Sequence, residues 1–164
     1  MTRRLILIRH AKSGWDNIYA DDHARTLTDS GKAASKAIGQ WLAANDFVPD
    51  LILTSDATRA LQTTTLVKQG LSMAVPTHEI GLLYHAAPDT LREVASKHSD
   101  QTIAIVGHNP GIGMAANLLV TYAPDHHRFN DYPTAATTVI DFPADAWMHP
   151  GKGTATAFTT PKDL

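Results

Sequence analysis

The apolar residues of the chain alternate between two patterns: short unbroken runs, and longer stretches in which they recur every three or four positions. Leu5–Arg9 (LILIR) is an aliphatic run with no polar interruption. Such a run marks a strand covered on both faces. After Thr28, a plausible N-cap, Ala34, Ala37, Ile38, Trp41 and Leu42 share one face of a helix, with Trp41 in the core, and Pro49 stops it. Leu51–Thr54 (LILT) predicts a second strand. Asp56 is suited to cap a second helix over Ala57–Gln69, with Gly70 closing it. Val75–Thr77 is a weak third strand and Pro88–Lys97 a helix, with proline in its first turn. Thr102–Val106 (TIAIV) is another buried strand, punctuated by Gly107-His108-Asn109-Pro110-Gly111, and Ile112–Val120 returns to helical spacing. Ala136–Phe142 and Thr154–Thr160 predict the last strands, and Ala123–Pro133 reads as a polar loop with His126-His127-Arg128 at the surface. Strands alternating with helices imply right-handed crossovers, and hence a three-layer α/β/α sandwich around a mostly parallel sheet.

Composition narrows the picture. The chain has 164 residues, 43% hydrophobic and 18% charged, which fits one domain over residues 1–164 with a single core. Its net charge of −2 gives no global attraction to nucleic acid or an anionic membrane. Cysteine is absent, which excludes disulfides and thiolate chemistry and agrees with a reducing compartment. The apolar run behind Met1-Thr2-Arg3-Arg4 is shorter than the core of a signal peptide, and no run approaches a membrane span; the expected location is cytoplasmic. The nine histidines do not form zinc-motif spacings: His126-His127 and His78…His85 match none and HExxH is missing. No Walker loop or GxGxxG occurs, so neither a metal nor a nucleotide cofactor is implied.

The chemistry gathers at strand ends. Arg9-His10 follows the first strand, Arg59 lies in the first turn after the second, and His108 follows Thr102–Val106. In a parallel sheet these ends share one edge, where ligands bind at a reversal of strand order. Two guanidiniums there match a phosphoryl group, with permanent charge and paired donors. They also disfavour a proton on an imidazole between them, leaving His10 a free lone pair with which to attack phosphorus. His108 is suited to hold a phosphoryl oxygen as imidazolium or to assist a proton transfer, and helix amides after Ser55 and after Pro110 are further donors. Read singly, Arg59 is a surface cation pairing with an acid such as Asp56, and His108 a turn residue. Lys12 belongs at the pocket rim or in solvent, Arg25 at the pocket edge or paired with Asp21 or Asp22, and Trp15 on the rim loop or against a partner.

Arg9-His10-Ala11-Lys12-Ser13-Gly14-Trp15-Asp16 resembles the RHG signature of the histidine phosphatase superfamily, the phosphoglycerate mutase-like fold. It is most similar to the SixA-like branch of phosphohistidine phosphatases, whose members commonly read RHA-K-S. Arg25-Thr26-Leu27-Thr28-Asp29-Ser30-Gly31, Thr54–Thr63 with Ser55, Arg59 and Gln62, and Val106–Gly111 resemble three further family segments, in the family's order. The resemblance covers roughly residues 4–120. It implies His10 as the phosphorylated nucleophile, Arg9, Arg59 and His108 as the rest of the phosphate pocket, and Ser13 as a hydroxyl close to the phosphate.

Ala11 replaces the usual glycine, as in the SixA-like branch. Asp16 stands where larger members often carry a phosphate-contacting asparagine, and a carboxylate there does not take that role. No carboxylate in His78–Asp89 matches the proton donor of larger members: Glu79 and Asp89 remain open, with His85 as a polar, substrate-contacting candidate. A site without a strong acid favours the labile P–N bond of phosphohistidine over an unactivated ester. The expected partner is therefore a phosphorylated protein of the histidine phosphotransfer type. Small phosphomonoesters and a non-catalytic phosphoprotein-binding module are the alternatives, and a mutase needs larger insertions.

Overall fold

A computed structural model describes all residues, Met1–Leu164. Six strands form one mixed sheet in the order β3-β2-β4-β1-β5-β6. They are β1 (Thr2–Arg9), β2 (Leu51–Thr54), β3 (Thr77–Glu79), β4 (Thr102–Gly107), β5 (Thr137–Pro143) and β6 (Thr154–Thr159), with four helices, α1 (Asp29–Ala44), α2 (Thr58–Leu71), α3 (Pro88–Ser96) and α4 (Gly111–Leu119). β1, β2, β3 and β4 run parallel; β5 is antiparallel to both β1 and β6. None of the helices is long and apolar enough to cross a membrane.

The unbroken strand runs are explained by the two layers that cover them. Leu5, Leu7, Leu51, Leu53, Ile103 and Ile105 face α3 and α4 with Leu91, Val94, Ile112 and Leu119. Their neighbours Ile6, Ile8, Ile52, Ala104 and Val106 face α1 and α2 with Ile38, Leu42, Ala60 and Val67. The two-residue period of the strand sends alternate side chains into separate cores, so both must be apolar.

Several expectations are corrected. β1 starts at Thr2, because pairing with β5 carries it back to Pro143. β3 lies two residues later than the apolar pattern suggests, set by pairing of Ile52 with Thr77. Asp56 does not cap α2; the Ser55 hydroxyl accepts from the Ala57 amide instead, and Asp56 accepts from His23. Phe129 and Tyr132 of the supposed polar loop are buried, while His126 pairs with Asp163. Trp41 is half-buried, its ring against Phe47 at the edge of the α1–α2 core. Thr28 does cap α1, accepting from the Gly31 amide at 3.1 Å.

Gly70 does not end α2; the left-handed residue that closes it is Ser72, at φ 55°. Gly70 is where α2 lies backbone to backbone on Gly39 of α1: a Cβ at position 70 collides with the Lys36 carbonyl oxygen and stands 2.8 Å from the Gln40 nitrogen. Alanine in an open helix gains about 1 kcal/mol over glycine. Here Gly70→Ala is expected to destabilise by about 1–3 kcal/mol, because the helices must separate. The check is the urea midpoint followed by circular dichroism, and a midpoint that rises contradicts the close contact.

Candidate active site

The site is positioned by strand register. Arg9 at the end of β1 lies opposite Gly107 at the end of β4, and the His10 amide donates to the Gly107 carbonyl at 2.9 Å. His10 and His108 therefore leave adjacent strands together, ring centroids 5.1 Å apart. On the other side of β4 the Ser55 amide donates to Val106 at 3.0 Å, which places the first turn of α2, with Arg59, over the same edge. The reversal of strand order lies here: β4 inserts between β1 and β2.

These ends enclose a cavity of about 290 Å³. Arg9, His10, Arg59 and His108 line it, as do Lys12, Ser13 and His85; Asp22, Arg25, Asn109 and Thr134 complete the wall. Lys12 is exposed at the rim. Glu79 and Asp89 do not line the cavity, and neither does Asp16. Arg25 both reaches the cavity and pairs with Asp22: its Nη1 donates to Ser13 Oγ at 2.7 Å, while Nε and Nη2 hold Asp22 Oδ1. Its guanidinium lies 4.4 Å from the centre of the half-exposed Trp15 ring.

The His10 tautomer follows from its partners. Nδ1 lies 2.7 Å from the Ala11 carbonyl oxygen, which can only accept, so Nδ1 carries the proton. Nε2 therefore presents its lone pair, and Arg59 Nε donates to it at 3.3 Å. Burial lowers the His10 pKa to about 4, reinforced by the charges of Arg59, Arg9 and Arg25 and opposed by the Ala11 hydrogen bond. His108 falls to about 3, again mainly by burial, then through the charge of its neighbours His10, Arg59 and His85. Its Nε2 is 2.8 Å from Ser55 Oγ and its Nδ1 is buried without a partner. Of the two roles open to His108, burial and the neighbouring cations thus disfavour the imidazolium and leave assistance to a proton transfer.

Arg59, only 2% exposed, spends all three nitrogens on its own chain. Beyond the bond to His10, Nη1 donates to the Asp22 carbonyl at 2.6 Å and Nη2 to Asp22 Oδ2 at 2.9 Å, with His85 Nε2 at 3.4 Å. Its acidic partner is Asp22, not Asp56. Arg9 donates through Nη1 to the Tyr132 carbonyl at 3.1 Å, while its Nε is buried and unpartnered. The helix amides are partly taken: Ser55 Oγ accepts from Ala57, and Asn109 Oδ1 from Gly113.

Sequence reasoning missed Asp22 as a wall of the site, and Tyr84. The Tyr84 hydroxyl donates to Asp22, and that bond, with those from Arg59 and Arg25, holds the carboxyl well below the usual carboxylate range. The Asp22-His23-Ala24-Arg25 spacing was the available signal for Asp22. Nothing in the sequence marked Tyr84, which stacks on His85 at 4.1 Å.

The lowered histidine pKa values fix the direction of an acid effect. As pH falls below about 6.5 the unfolded chain takes up protons that folded His10 and His108 refuse until about 4 and 3. Stability is therefore full above that point and declines between about 6.5 and 4, by up to ~1.4 kcal/mol per pH unit for each ring. Urea unfolding at pH 7.5, 6 and 5 is expected to show this fall, flattened in His108→Gln.

The profile of the histidine phosphatase superfamily (branch 1) matches residues 5–81. An uncharacterised protein of Arabidopsis thaliana is 36% identical over 130 residues; the match covers 73% of this chain and 60% of the plant protein's length. An uncharacterised protein of Mycobacterium tuberculosis is 34% identical over 164 residues, across 94% of this chain and 100% of its own. A solved structure from Agrobacterium tumefaciens, provisionally assigned as phosphohistidine phosphatase SixA, superposes with a TM-score of 0.77 at 26% identity, covering 97% of this chain and 98% of that one.

Proposed function

Because the chain belongs to the histidine phosphatase superfamily, we propose that residues 1–164 form one phosphatase domain that works through phosphorylated His10 and removes phosphate from phosphohistidine on a partner protein. The observation that carries this reading is the His10 ring: Nδ1–H anchored on Ala11, and Nε2 facing a cavity lined by Arg9, Arg25 and Arg59 with only a 3.3 Å bond from Arg59 Nε on its lone pair.

In the first step His10 Nε2 attacks phosphorus. The substrate's P–N bond breaks, its electron pair stays with the leaving imidazole, and a proton must reach that ring. Phospho-His10, bonded at Nε2 and protonated at Nδ1, is a cation whose Nδ1–H is held by the Ala11 carbonyl. In the second step water attacks phosphorus, the P–Nε2 bond breaks, and orthophosphate leaves. Buried donors without protein partners serve the phosphoryl oxygens: Arg9 Nε and His108 Nδ1 account for two of the three orphan buried side-chain atoms of the molecule. Ser13 and Lys12 assist from the rim. Phosphate takes Arg59 by displacing Asp22 from at least one of its nitrogens.

Two observations support phosphohistidine over an ester. Similarity to the Agrobacterium protein is one. The other is the character of Asp22, the single carboxylate in the cavity wall: three donors keep it ionised, so it does not protonate an alkoxide.

Phosphate release at neutral or alkaline pH from a phosphohistidine peptide, beside p-nitrophenyl phosphate, tests the reading. Faster turnover of the peptide is expected. Turnover of the ester alone assigns small phosphomonoesters, and tight peptide binding without release assigns a recognition module.

A further inference from the structure

Resting on that reading, the geometry points to His85 as the missing proton donor: a general acid toward the leaving imidazole in the first step and a general base toward water in the second. The argument starts from Arg59. One guanidinium touches two histidine nitrogens, His10 Nε2 through Nε at 3.3 Å and His85 Nε2 at 3.4 Å from Nη2. A phosphoryl group cradled by that guanidinium is within reach of both rings. One ring is the nucleophile; the other is free to meet what departs or what arrives. The His85 ring is also 5.2 Å from His108, which is 5.1 Å from His10, so the three imidazoles close around one space.

The surroundings of the His85 ring fit proton transfer. Its side chain is half exposed, which lets it exchange protons with water, whereas His10 and His108 are buried. The Asp22 carboxylate lies 3.5 Å from its Nε2 and forms an ion pair when the ring is protonated. The groups facing it are Asp22, Arg59, Tyr84 and His108. Its backbone lies in the left-handed region at φ 52°, where histidine is among the more frequent residues with a Cβ. Stacking on Tyr84 fixes the ring there.

The step balances. As His10 Nε2 bonds to phosphorus, the P–N electron pair returns to the leaving ring. His85 transfers its proton to that ring's other nitrogen, so the product departs as neutral imidazole. Donor and acceptor are both imidazoles, so the proton passes from one ring nitrogen to another. Neutral His85 then takes a proton from the attacking water and is restored as phosphate forms.

The test is His85→Asn, chosen because asparagine tolerates the left-handed backbone, with His85→Ala beside it. The kcat/KM for a phosphohistidine peptide is expected to fall about 100-fold. For p-nitrophenyl phosphate, whose leaving group departs without a proton, kcat/KM, which ends at formation of phospho-His10, should fall less than about tenfold, while kcat falls for both substrates because the water step also uses His85. Added free imidazole should restore turnover of the peptide by His85→Ala. Equal losses of kcat/KM on both substrates without imidazole rescue, or no loss on the peptide, overturn the assignment and leave the phosphatase reading standing. A wild-type enzyme that releases phosphate from neither substrate sinks the phosphatase reading and this role with it.

Discussion

Alanine at position 10 is expected to lower turnover of a phosphohistidine peptide by roughly 10⁴- to 10⁶-fold, the scale of losing a nucleophile that works as part of a unit. The size follows from what remains. With Nε2 gone, water must attack phosphorus directly, with no group placed to activate it in the position the ring occupied. The donors of Arg9, Arg59 and His108 stay, because each is held by contacts other than His10: Tyr132, Asp22 and Ser55 respectively. Binding of vanadate or tungstate should therefore survive within a few-fold, while a rapid quench at alkaline pH should find no phosphoenzyme, in contrast to the acid-labile, base-stable adduct of the wild type. Near-normal turnover in His10→Ala would falsify the covalent route. His10→Gln, which refills much of the space, separates lost chemistry from lost packing at this buried position.

The sheet was legible because its strands are unbroken apolar runs. LILI at residues 5–8 reads as a strand with two covered faces by its short length and β-branched content, and the two cores divide it residue by residue. Helix α1 was legible from its cap and period. The reversed direction of β5 was not, since an apolar strand reads the same in either sense and its direction is fixed by pairing with β1. Gly70 looked like punctuation because glycine at a helix end and glycine at a helix crossing are identical in one dimension.

The site divides along the same line. Arg9, His10, Arg59 and His108 were visible because each sits on or just past the boundary of a readable element, and strand ends converge by topology. Asp22 sits in a short 3₁₀ turn, Asp22–Ala24, between β1 and α1, and beside its neighbour Arg25 what fixes its place is two partners from distant parts of the chain, Arg59 and Tyr84. Tyr132 is a similar case. It lies in a segment rich in polar residues, yet it is buried with its hydroxyl on the Leu7 carbonyl and Thr138, and its own carbonyl anchors Arg9. Long-range hydrogen bonds of this kind have no period and leave no trace in spacing.

Arg59 offers the sharpest separation of charge from geometry. Arg59→Ala is expected to cost about 2–4 kcal/mol of transition-state stabilisation, a roughly 30- to 1000-fold fall in kcat/KM, by the measure of removing one preorganised oxyanion donor. Arg59→Lys is expected to fall nearly as far, although it keeps the charge. The site uses the shape of the guanidinium: Nε faces His10, Nη1 the Asp22 carbonyl, and Nη2 both Asp22 and His85. A lysine ammonium is a single point on a flexible stem and cannot stand at both histidines at once. It would also sit, strongly hydrated by preference, at a position only 2% exposed. Steady-state kinetics on p-nitrophenyl phosphate and on the phosphohistidine peptide measure both variants. The loss should appear mainly in kcat, since phosphate must already compete with Asp22 for this side chain in the ground state. A lysine variant within about fivefold of wild type means that charge alone suffices, and then the fork spanning His10 and His85 is not what stabilises the transferring phosphoryl group.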